Sequence, residues 1–504
     1  MTGLSDILET SRHIGGHNPW PRVVVDAEGW NLAASLAADG LYTMLGLWGE
    51  SDAVHMALAT QDPLEIAVLS LPCPDGIFPS VGHHHPPAIR LERAIQDLFG
   101  LKAEGATDVR PWLDHGRWGK REPLGAARTD VGLGDVYVFL PVEGEGLHQI
   151  PVGPVHAGII EPGHFRFTAS GETVVRLEER LGYTHKATEN LMAGADIAHA
   201  AKLAGRVSGD TTVAYAIAFA QAVETALGVV APPRAQWLRV LMIELERIAN
   251  HLGDFGAICN DASFAIMLAY CGILRERLLR VANIAFGHRL MMDRVVPGGV
   301  AADLSSEGTS AILALIAEIR ARIPALVKLY DGTTSLQDRT VSTGRLNPAL
   351  ARQFGAGGFV GRAAGRTFDA RMFPGPLPYD ALDFQVVTRN EGDVNARVWV
   401  RIEEVTQSLE LIDQILGQLP EGITRIELPN ARDVCEGMAI VEGFRGDILV
   451  WLRVVADGRI TRCHLRDPSW FQWPLLEAII EGNIVADFPL CNKSFNCSYS
   501  GHDL

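Results

Sequence analysis

One segment in the middle of the chain carries four ionisable residues on a single helical face. They are Glu244, Arg247, His251 and Asp254. Their spacing of i, i+3, i+7 and i+10 aligns them along one side of a helix, where they can bridge one another. Apolar residues at the core-facing spacing, Leu241 to Phe255, occupy the other side. Two interpretations stay open: a solvated face with helix ion pairs, or a buried charged relay between packed helices.

A second group of candidate residues lies in segment 151–167, which concentrates Gly, Pro, His and Glu. This composition predicts a β-hairpin loop, and such loops place side chains into clefts. His156, Glu161 and His164 could transfer protons there, because imidazole and a partly buried carboxylate can both titrate near neutral pH. A tight turn with solvated histidines is the alternative.

The cysteines argue against a four-thiolate metal centre within this chain. They are Cys73, Cys259, Cys271, Cys435, Cys463, Cys491 and Cys497. None of them forms a C-x-x-C pair, and the last two are six residues apart, which is wrong for such a chelate. The odd number and wide scatter are typical of reduced thiols in the cytosol.

Two further motifs give weak indications. The consecutive histidines 83–85 cannot converge on one ion without other ligands, so they predict a surface loop. Gly357, Gly358 and Gly361 precede Arg362, but neither a Walker-type lysine nor a strand–turn–helix dinucleotide pattern surrounds them. They indicate no nucleotide site.

Bulk properties limit the class of protein. A length of 504 residues predicts two or more domains, and 47% hydrophobic with 21% charged residues is typical of a globular protein. The net charge of −16 argues against nucleic acid, which is bound by clustered Lys and Arg. No apolar run approaches the roughly 20 residues that span a bilayer, and the acidic N-terminus is unlike a signal peptide. Membrane contact is therefore expected through partner subunits.

The elements that must position these residues predict an α+β protein. Short strands at 67–71 and 136–140 flank a helix at 88–99, which indicates a small α+β domain over residues 1–140. The boundary is expected between Arg121 and Pro151, before a mainly α-helical domain over residues 150–504 with peripheral β-hairpins. The predicted helices of the second domain are 172–181, 188–203, 211–227, 233–258, 264–287 and 307–333. Strands are expected at 439–455 and 459–465, separated by a turn at Asp457 and Gly458.

Several motifs together resemble one protein family over nearly the whole chain. They are GPVH at 153–156, EPGHFRF at 161–167, ERIANHLGD at 246–254, RNEGDVNAR at 389–397, EGFRGD at 442–447 and RDPS at 466–469. In this order they resemble the large subunit of group 4, energy-converting NiFe hydrogenases and the related 49 kDa subunit of respiratory complex I. In the first domain, ERAIQDLFG at 92–100 and DVRPWL at 108–113 resemble the 30 kDa subunit of complex I. The chain is similar to the fusions of these two subunits in hydrogenase-4 and formate hydrogenlyase.

Departures from the family pattern affect its metal centre and its quinone site. The hydrogenases hold nickel and iron with cysteines from an R-V-C-G-x-C loop and a C-terminal C-x-x-C pair. Here the loop is shortened and Ser208 takes the first cysteine position, while Cys491 is the nearest counterpart of the C-terminal pair. A serine hydroxyl is a poor substitute for a soft thiolate. The tyrosine of complex I beside the quinone is also missing, and its hairpin histidine aligns near Ile160. Glu161 matches the proton-gating glutamate of the hydrogenases.

The resemblance implies a peripheral-arm subunit on the cytoplasmic face of the inner or plasma membrane, in a complex I-like or hydrogenase-related oxidoreductase. Its partners would be an iron–sulfur small subunit, a ferredoxin-like subunit and antiporter-like and other membrane subunits. The chain would hold no NiFe centre or other cofactor of its own, and Glu161, His156 and the helix face 244–254 would relay charge. Two alternatives stay open: reduction of a quinone or another acceptor in the vacated cavity, and a purely structural scaffold.

Overall fold

The computed structural model describes residues 3–60, 64–126, 129, 137–156 and 160–504, and it is an α+β protein as predicted. Its helices are α1 (Leu4–Thr10), α2 (Ala27–Ala38), α3 (Ile89–Phe99), α4 (Thr188–Met192), α5 (Ile197–Ala204), α6 (Thr212–Ala226), α7 (Pro233–Asp261), α8 (Ala265–Phe286), α9 (Ser306–Asp331), α10 (Thr334–Thr340), α11 (Pro348–Gln353), α12 (Gly358–Ala363), α13 (Val394–Gln418), α14 (Ser469–Ile480), α15 (Phe488–Phe495) and α16 (Tyr499–Asp503). Its strands are β1 (Arg12–His13), β2 (His17–Asn18), β3 (Arg22–Val24), β4 (Thr43–Gly49), β5 (Ala53–Ala59), β6 (Ile66–Pro72), β7 (Ile77–Pro79), β8 (Lys102–Glu104), β9 (Leu147–Val152), β10 (His164–Ser170), β11 (Thr173–Arg180), β12 (Val295–Val296), β13 (Gly299–Val300), β14 (Cys435–Gly443), β15 (Gly446–Val454) and β16 (Ile460–Arg466). Across these described ranges, every helix is too short or too polar to cross a membrane.

The N-terminal part is built on a five-stranded sheet in the order β1-β3-β6-β5-β4. The strands β4 to β6 are almost entirely buried because they are rich in Val, Leu, Met and Ala. Asp26 begins α2 by accepting a hydrogen bond from the backbone N–H of Gly29, and Gly100 ends α3 with a left-handed conformation.

The N-terminal part is joined to the rest of the chain through one strand and a set of ion pairs. β2 pairs in parallel with β14, which extends the C-terminal sheet to the order β16-β15-β14-β2. Next to this pairing, Arg22 Nη1 lies 2.5 Å from a carboxylate oxygen of Glu436, and Arg453 Nη1 lies 2.5 Å from Glu50. The hydrophobic core runs through both parts without interruption. The division at residues 140–150 stays a prediction.

The C-terminal part centres on α7, a helix of 29 residues that starts with proline in its first turn and packs against α8, α13 and α15. α6 lies between α7 and the sheet of β14 and β15. The approach of α6 to β14 is so close that a Cβ on Gly437 would lie 1.8 Å from the carbonyl oxygen of Ala222. This sheet is buried, and at the end of β14 the backbone carbonyls of Glu442 and Gly443 accept hydrogen bonds from Arg247 on α7.

Most of the predicted elements are present, but two predicted helices and the segment 439–455 differ. The predicted helix at 172–181 is wrong, because this segment forms β11, whose Thr-Val-Val start pairs with β10. The predicted helix at 188–203 is broken by Gly194, which has a φ of +82°, so α4 ends and Asp196 caps α5. The segment 439–455 is two strands joined by a turn at Phe444 and Arg445.

The remaining strand predictions have mixed outcomes. Of the strand expected at 136–140, Val136 lies outside the described residues and residues 137–140 do not form a strand. The turn at Asp457 and Gly458 is confirmed between β15 and β16. The hairpin around residues 153–163 is confirmed by the antiparallel pairing of β9 and β10.

Candidate functional site

The ionisable face of α7 is buried in the interior of the molecule. The side chains of Glu244, Arg247 and His251 have no exposed surface, and Asp254 is 7% exposed. A helix with both an apolar and a charged face in the interior requires charged partners on the neighbouring elements, because isolated buried charges are strongly unfavourable. The interpretation as a solvated face is therefore wrong, and the role of the face as a relay stays a prediction.

Three of these residues belong to one network, which we call the buried charge cluster. Its members are Glu244, Arg247, His251, Arg362, Asp369, Arg371, Glu404 and Glu442. At its centre, Arg362 donates from Nε to Glu404 Oε1 at 2.8 Å and from Nη1 to Glu442 Oε1 at 2.8 Å. The other oxygen of Glu404 lies 2.7 Å from His251 Nε2. One arginine therefore connects α12, α13 and β14 to the face of α7.

A second set of contacts completes the cluster around Glu244. Arg247 donates to one carboxylate oxygen of Glu244 at 3.2 Å. The hydroxyls of Tyr379 and Ser408 donate to the same carboxylate at 2.7 and 2.6 Å. Arg371 Nη1 lies 3.5 Å from the same carboxylate and also pairs with Asp369 at 2.7 Å. Charge-assisted hydrogen bonds of this kind are shorter and stronger than neutral ones, so they fix the geometry of the cluster.

The environment separates the carboxyl groups of the cluster into two classes. Burial by itself would raise the pKa of Glu404, Glu244 and Asp369, but the neighbouring arginines more than offset this and hold each pKa below its usual value. For Glu442, burial and the nearby Asp369 prevail over Arg362 and raise the pKa to about 7. Glu442 is thus the carboxyl group that can gain or lose a proton at neutral pH.

The charges of the cluster balance when Glu442 is protonated. Burial lowers the pKa of His251, which keeps its imidazole neutral at pH 7. Three guanidinium groups then face three ionised carboxylates within the cluster as defined above. Ionisation of Glu442 adds one net negative charge to a fully buried site. The arrangement can therefore take up or release one proton near neutral pH.

Asp254, the last residue of the predicted face, belongs to a separate network. Arg401 donates from Nε to Asp254 Oδ2 at 3.0 Å, and Asn496 donates to the other oxygen at 2.9 Å. The guanidinium of Arg401 also lies over the ring of Phe359, with 3.5 Å between its central carbon and the ring centroid. Asp254 thus links α7 to α13 and to the C-terminal segment.

The hairpin residues lie apart from the buried charge cluster. The Glu161 side chain is exposed, and its carboxylate accepts hydrogen bonds at 2.9 Å from both the backbone N–H and the hydroxyl of Ser500. His164 is buried at the start of β10, where burial lowers its pKa and Arg166 donates to its ring at 3.2 Å. His156 is partly buried beside residues 157–159, which lie outside the described ranges.

The two residues predicted to mark the former metal ligands are not neighbours. The hydroxyl of Ser208 lies 2.6 Å from Asp210 Oδ1 and 3.2 Å from the hydroxyl of Ser498. The thiol of Cys491 instead lies beside Gly344, where an added Cβ would approach it to 2.6 Å. Cys497 precedes Ser498, so the residue of the C-terminal segment that faces Ser208 is Ser498.

The residues around Ser208 do not fit a thiolate-bound nickel–iron centre. The groups on this side are hydroxyls and the carboxylate of Asp210, which Arg445 already holds in a bidentate pair. Such a set supplies hard oxygen donors where soft sulfur ligands are needed. The Cys497 thiol contacts Gln472, and burial raises its pKa well above the usual value. Among the residues that the structure describes, no group of three or more His, Cys, Asp or Glu side chains could hold a metal ion.

Sequence reasoning missed five of the eight residues of the buried charge cluster. Glu404 could have been found, because it follows Arg397 and Arg401 at the i+7 and i+3 spacing of one helical face. In the sequence, Arg362 only follows a glycine-rich run, yet those glycines let it approach the sheet: a Cβ on Gly358 would lie 2.0 Å from the carbonyl oxygen of Arg445. Asp369 and Arg371 lie in irregular chain, where spacing gives no indication.

Comparison with known proteins identifies the class to which this fold and site belong. The family model described as "Respiratory-chain NADH dehydrogenase, 49 Kd subunit" matches residues 261–434, and that of the 30 Kd subunit matches residues 24–131. The chain belongs to the family that contains this 49 Kd subunit and its hydrogenase relatives, and it carries a 30 Kd subunit domain in fusion. The predicted resemblance is confirmed.

Individual relatives come from both branches of the family. The chain is 30% identical to formate hydrogenlyase subunit 5 of Escherichia coli (strain K12), over 84% of this chain and 77% of the relative. It is 30% identical to the membrane-bound hydrogenase subunit alpha of Pyrococcus furiosus, over 69% of this chain and 85% of the relative. The C/D subunit of NADH-quinone oxidoreductase from Phocaeicola vulgatus is 28% identical, over 75% and 78%. Each relative is named as a subunit of a larger enzyme.

Proposed function

We propose that the chain is a peripheral-arm subunit of a membrane-bound oxidoreductase, in which it couples the arrival of electrons to charge movement toward membrane subunits. The observation that carries this proposal is the buried charge cluster, in which one carboxyl group with a pKa of about 7 is surrounded by fixed ion pairs. A site of this kind can convert a change in nearby charge into uptake or release of a proton. The fusion and hydrogenase relatives support the assignment to such a complex.

The partners follow from the same assignment. An iron–sulfur small subunit would deliver electrons, and a ferredoxin-like subunit would extend this path of electron transfer. Antiporter-like membrane subunits at the cytoplasmic face would receive the coupled charge movement. The chain itself would hold no NiFe centre, because Ser208, Ser498 and Asp210 offer hard oxygen donors, whereas such a centre needs soft sulfur ligands. Metal analysis of the purified chain tests this: stoichiometric nickel and iron would contradict it.

The relay itself is tested in the assembled complex, reconstituted in vesicles, by comparing electron transfer with ion translocation. Glu442→Gln should reduce the number of ions moved per electron several-fold, because the amide cannot release a proton. A matched control is Asp413→Asn on α13, which removes an ion pair with Arg320 in which both side chains are about 40% exposed. If both variants translocate ions like the parent, the cluster is part of a structural scaffold.

A second candidate function is reduction of a quinone or another acceptor, and a cavity of about 440 Å³ favours it. The cavity lies between Ile160 of the hairpin, the end of α7 at Asn260 and Asp261, and α15 with Lys493. Cys497 also lines it, so it reaches the segment that faces Ser208. Acceptor-dependent turnover of the complex that falls in Lys493→Met would support this function, and a complex that reduces no acceptor would exclude it.

A further inference from the structure

A separate cavity of about 160 Å³ lies behind the buried charge cluster, on the side of the N-terminal part. Its inner wall is formed by two members of the cluster, Arg371 and Glu442, and by Tyr379, which is hydrogen-bonded to Glu244. Its outer edge is formed by the exposed segment 374–376 and by the partly exposed Thr225 at the end of α6. The cavity therefore runs from the surface to the one carboxyl group of the cluster that titrates near neutral pH.

Gln221 on α6 indicates what fills this cavity. Its side chain lines the cavity and is 6% exposed, and its Nε2 meets no hydrogen-bond acceptor among the described residues. An amide N–H left unpaired in the interior is unfavourable by about 1–3 kcal/mol, so such groups are normally bound by protein or water. Because each water takes up about 30 Å³, the cavity has room for several.

The cluster side of the cavity offers partners to such waters. Tyr379 donates its hydroxyl to Glu244 and can still accept a hydrogen bond from the cavity side. Glu442 accepts from Arg362 and from the backbone N–H of Ala370, which leaves lone pairs on both carboxyl oxygens. Water between Gln221, Tyr379 and Glu442 would thus satisfy the amide and reach the carboxyl group.

We propose that this cavity is a water-filled port through which Glu442 exchanges its proton with bulk solvent. This port rests on the proposed function and adds the route by which protons reach and leave Glu442. Trp20, which follows β2, forms part of the wall, so the N-terminal part of the chain helps to shape the port.

The charged groups that surround Glu442 explain why a separate route is needed. Arg362 on α12 and Arg247 on α7 face it from one side, the latter through a 2.8 Å bond to its backbone carbonyl. Asp369, Arg366 and Asp447 act on it from the neighbouring segments. Arginines keep their protons and the two aspartates are held by arginine partners, so none of these groups carries a proton to Glu442.

The exchange rate of the Glu442 proton in the full chain tests the port. The difference between the infrared spectra of the parent and of Glu442→Gln at pH 6 should contain the band of a protonated carboxyl group, because this band disappears in the variant. Transfer of the parent to D₂O should shift this band. Thr225→Trp fills the mouth of the cavity and should slow the shift at least tenfold. Thr225→Val keeps the size of the side chain and should leave the rate unchanged.

A second variant guards against misfolding of the first. Gln221→Leu removes the amide while keeping a side chain of similar size, and it should slow the shift several-fold by removing a water anchor. An unchanged rate in both Thr225→Trp and Gln221→Leu would overturn the port, as would a band that persists in Glu442→Gln. This measurement needs no turnover, so the port and the proposed coupling function can fail independently.

Discussion

The buried face of α7 and the tip of the β9–β10 hairpin contain the residues predicted to act together as one relay, yet they are built in opposite ways. On the predicted face of α7, each ionisable residue has a partner from a distant part of the chain, and the central residue Arg362 is fully buried. At the hairpin, Glu161 is exposed and held by two hydrogen bonds from Ser500.

The charged groups of the buried cluster are therefore fixed in position, whereas the contact of Glu161 at the hairpin can change. Buried ion pairs keep one geometry, because breaking any of them leaves an uncompensated charge in the interior. An exposed carboxylate that binds a short C-terminal segment can change partners at small energetic cost. The difference predicts large effects of substitution in the cluster and small ones at the hairpin.

The largest effect is expected from Arg362→Met. This change leaves Glu404 and Glu442 without their shared partner in the interior, which should destabilise the fold by about 3–5 kcal/mol. Thermal and urea unfolding of the full chain measure it. Arg362→Lys should recover only part of the loss, since an ammonium group cannot bridge two carboxylates in the fork geometry of a guanidinium. A loss below about 1 kcal/mol would show that the cluster is not the fixed region.

The next effect is the pH dependence contributed by Glu442. Its pKa in the folded protein, about 7, lies above its unfolded value, so its protonation stabilises the fold fully below about pH 4.5, and this contribution is lost as pH rises through 7. The stability of the parent relative to Glu442→Gln should therefore fall between pH 5 and 8, by on the order of 1 kcal/mol per pH unit in the steepest part. Urea unfolding at several pH values measures this difference. A constant difference would contradict a titrating Glu442.

A smaller effect is expected from Asp254→Asn, which keeps the shape of the side chain but removes the charge opposite Arg401. The stability should fall by about 1–3 kcal/mol, less than for Arg362→Met, because Arg401 keeps its hydrogen bonds to the carbonyls of Arg397 and Ser494. Unfolding in urea measures the loss. An effect as large as that of Arg362→Met would show that the Asp254 network and the buried charge cluster are one network.

The smallest effect is expected from Glu161→Gln. The side chain is exposed and an amide oxygen can still accept from Ser500, so the stability should change by no more than about 0.5 kcal/mol. Thermal unfolding measures this change in stability, in comparison with Ser500→Ala, which removes one of the two hydrogen-bond donors to Glu161. A loss above about 2 kcal/mol would place the hairpin tip among the fixed contacts and remove the distinction.

The sequence was most informative where periodicity determines structure. The long helices at 233–258 and 264–287 are confirmed as α7 and α8, since their apolar spacing is the direct cause of their packing. The segment at 172–181 was misassigned because its charged residues suit a helix, while its β-branched start and its pairing with β10 prevail in the folded chain.

Only three of the eight residues of the buried charge cluster were predictable, for a different physical reason. Spacing revealed the face of α7, but its partners come from far along the chain: Glu404 lies 153 residues beyond His251, and Glu442 pairs with Arg362 across 80 residues. Local pattern contains no information about such contacts. It also could not show that Ser208 faces Ser498 while Cys491 lies against Gly344.

The pairing of β2 with β14 has a consequence for biogenesis. Arg22 and Glu436, which reinforce this pairing, are 414 positions apart. At the usual pace of translation, on the order of 20–80 s pass between the emergence of one and the other from the ribosome. During this interval the nascent N-terminal part exposes an open strand edge, and Arg22 lacks its nearest carboxylate partner, so a chaperone that covers this edge should raise the yield of assembled protein.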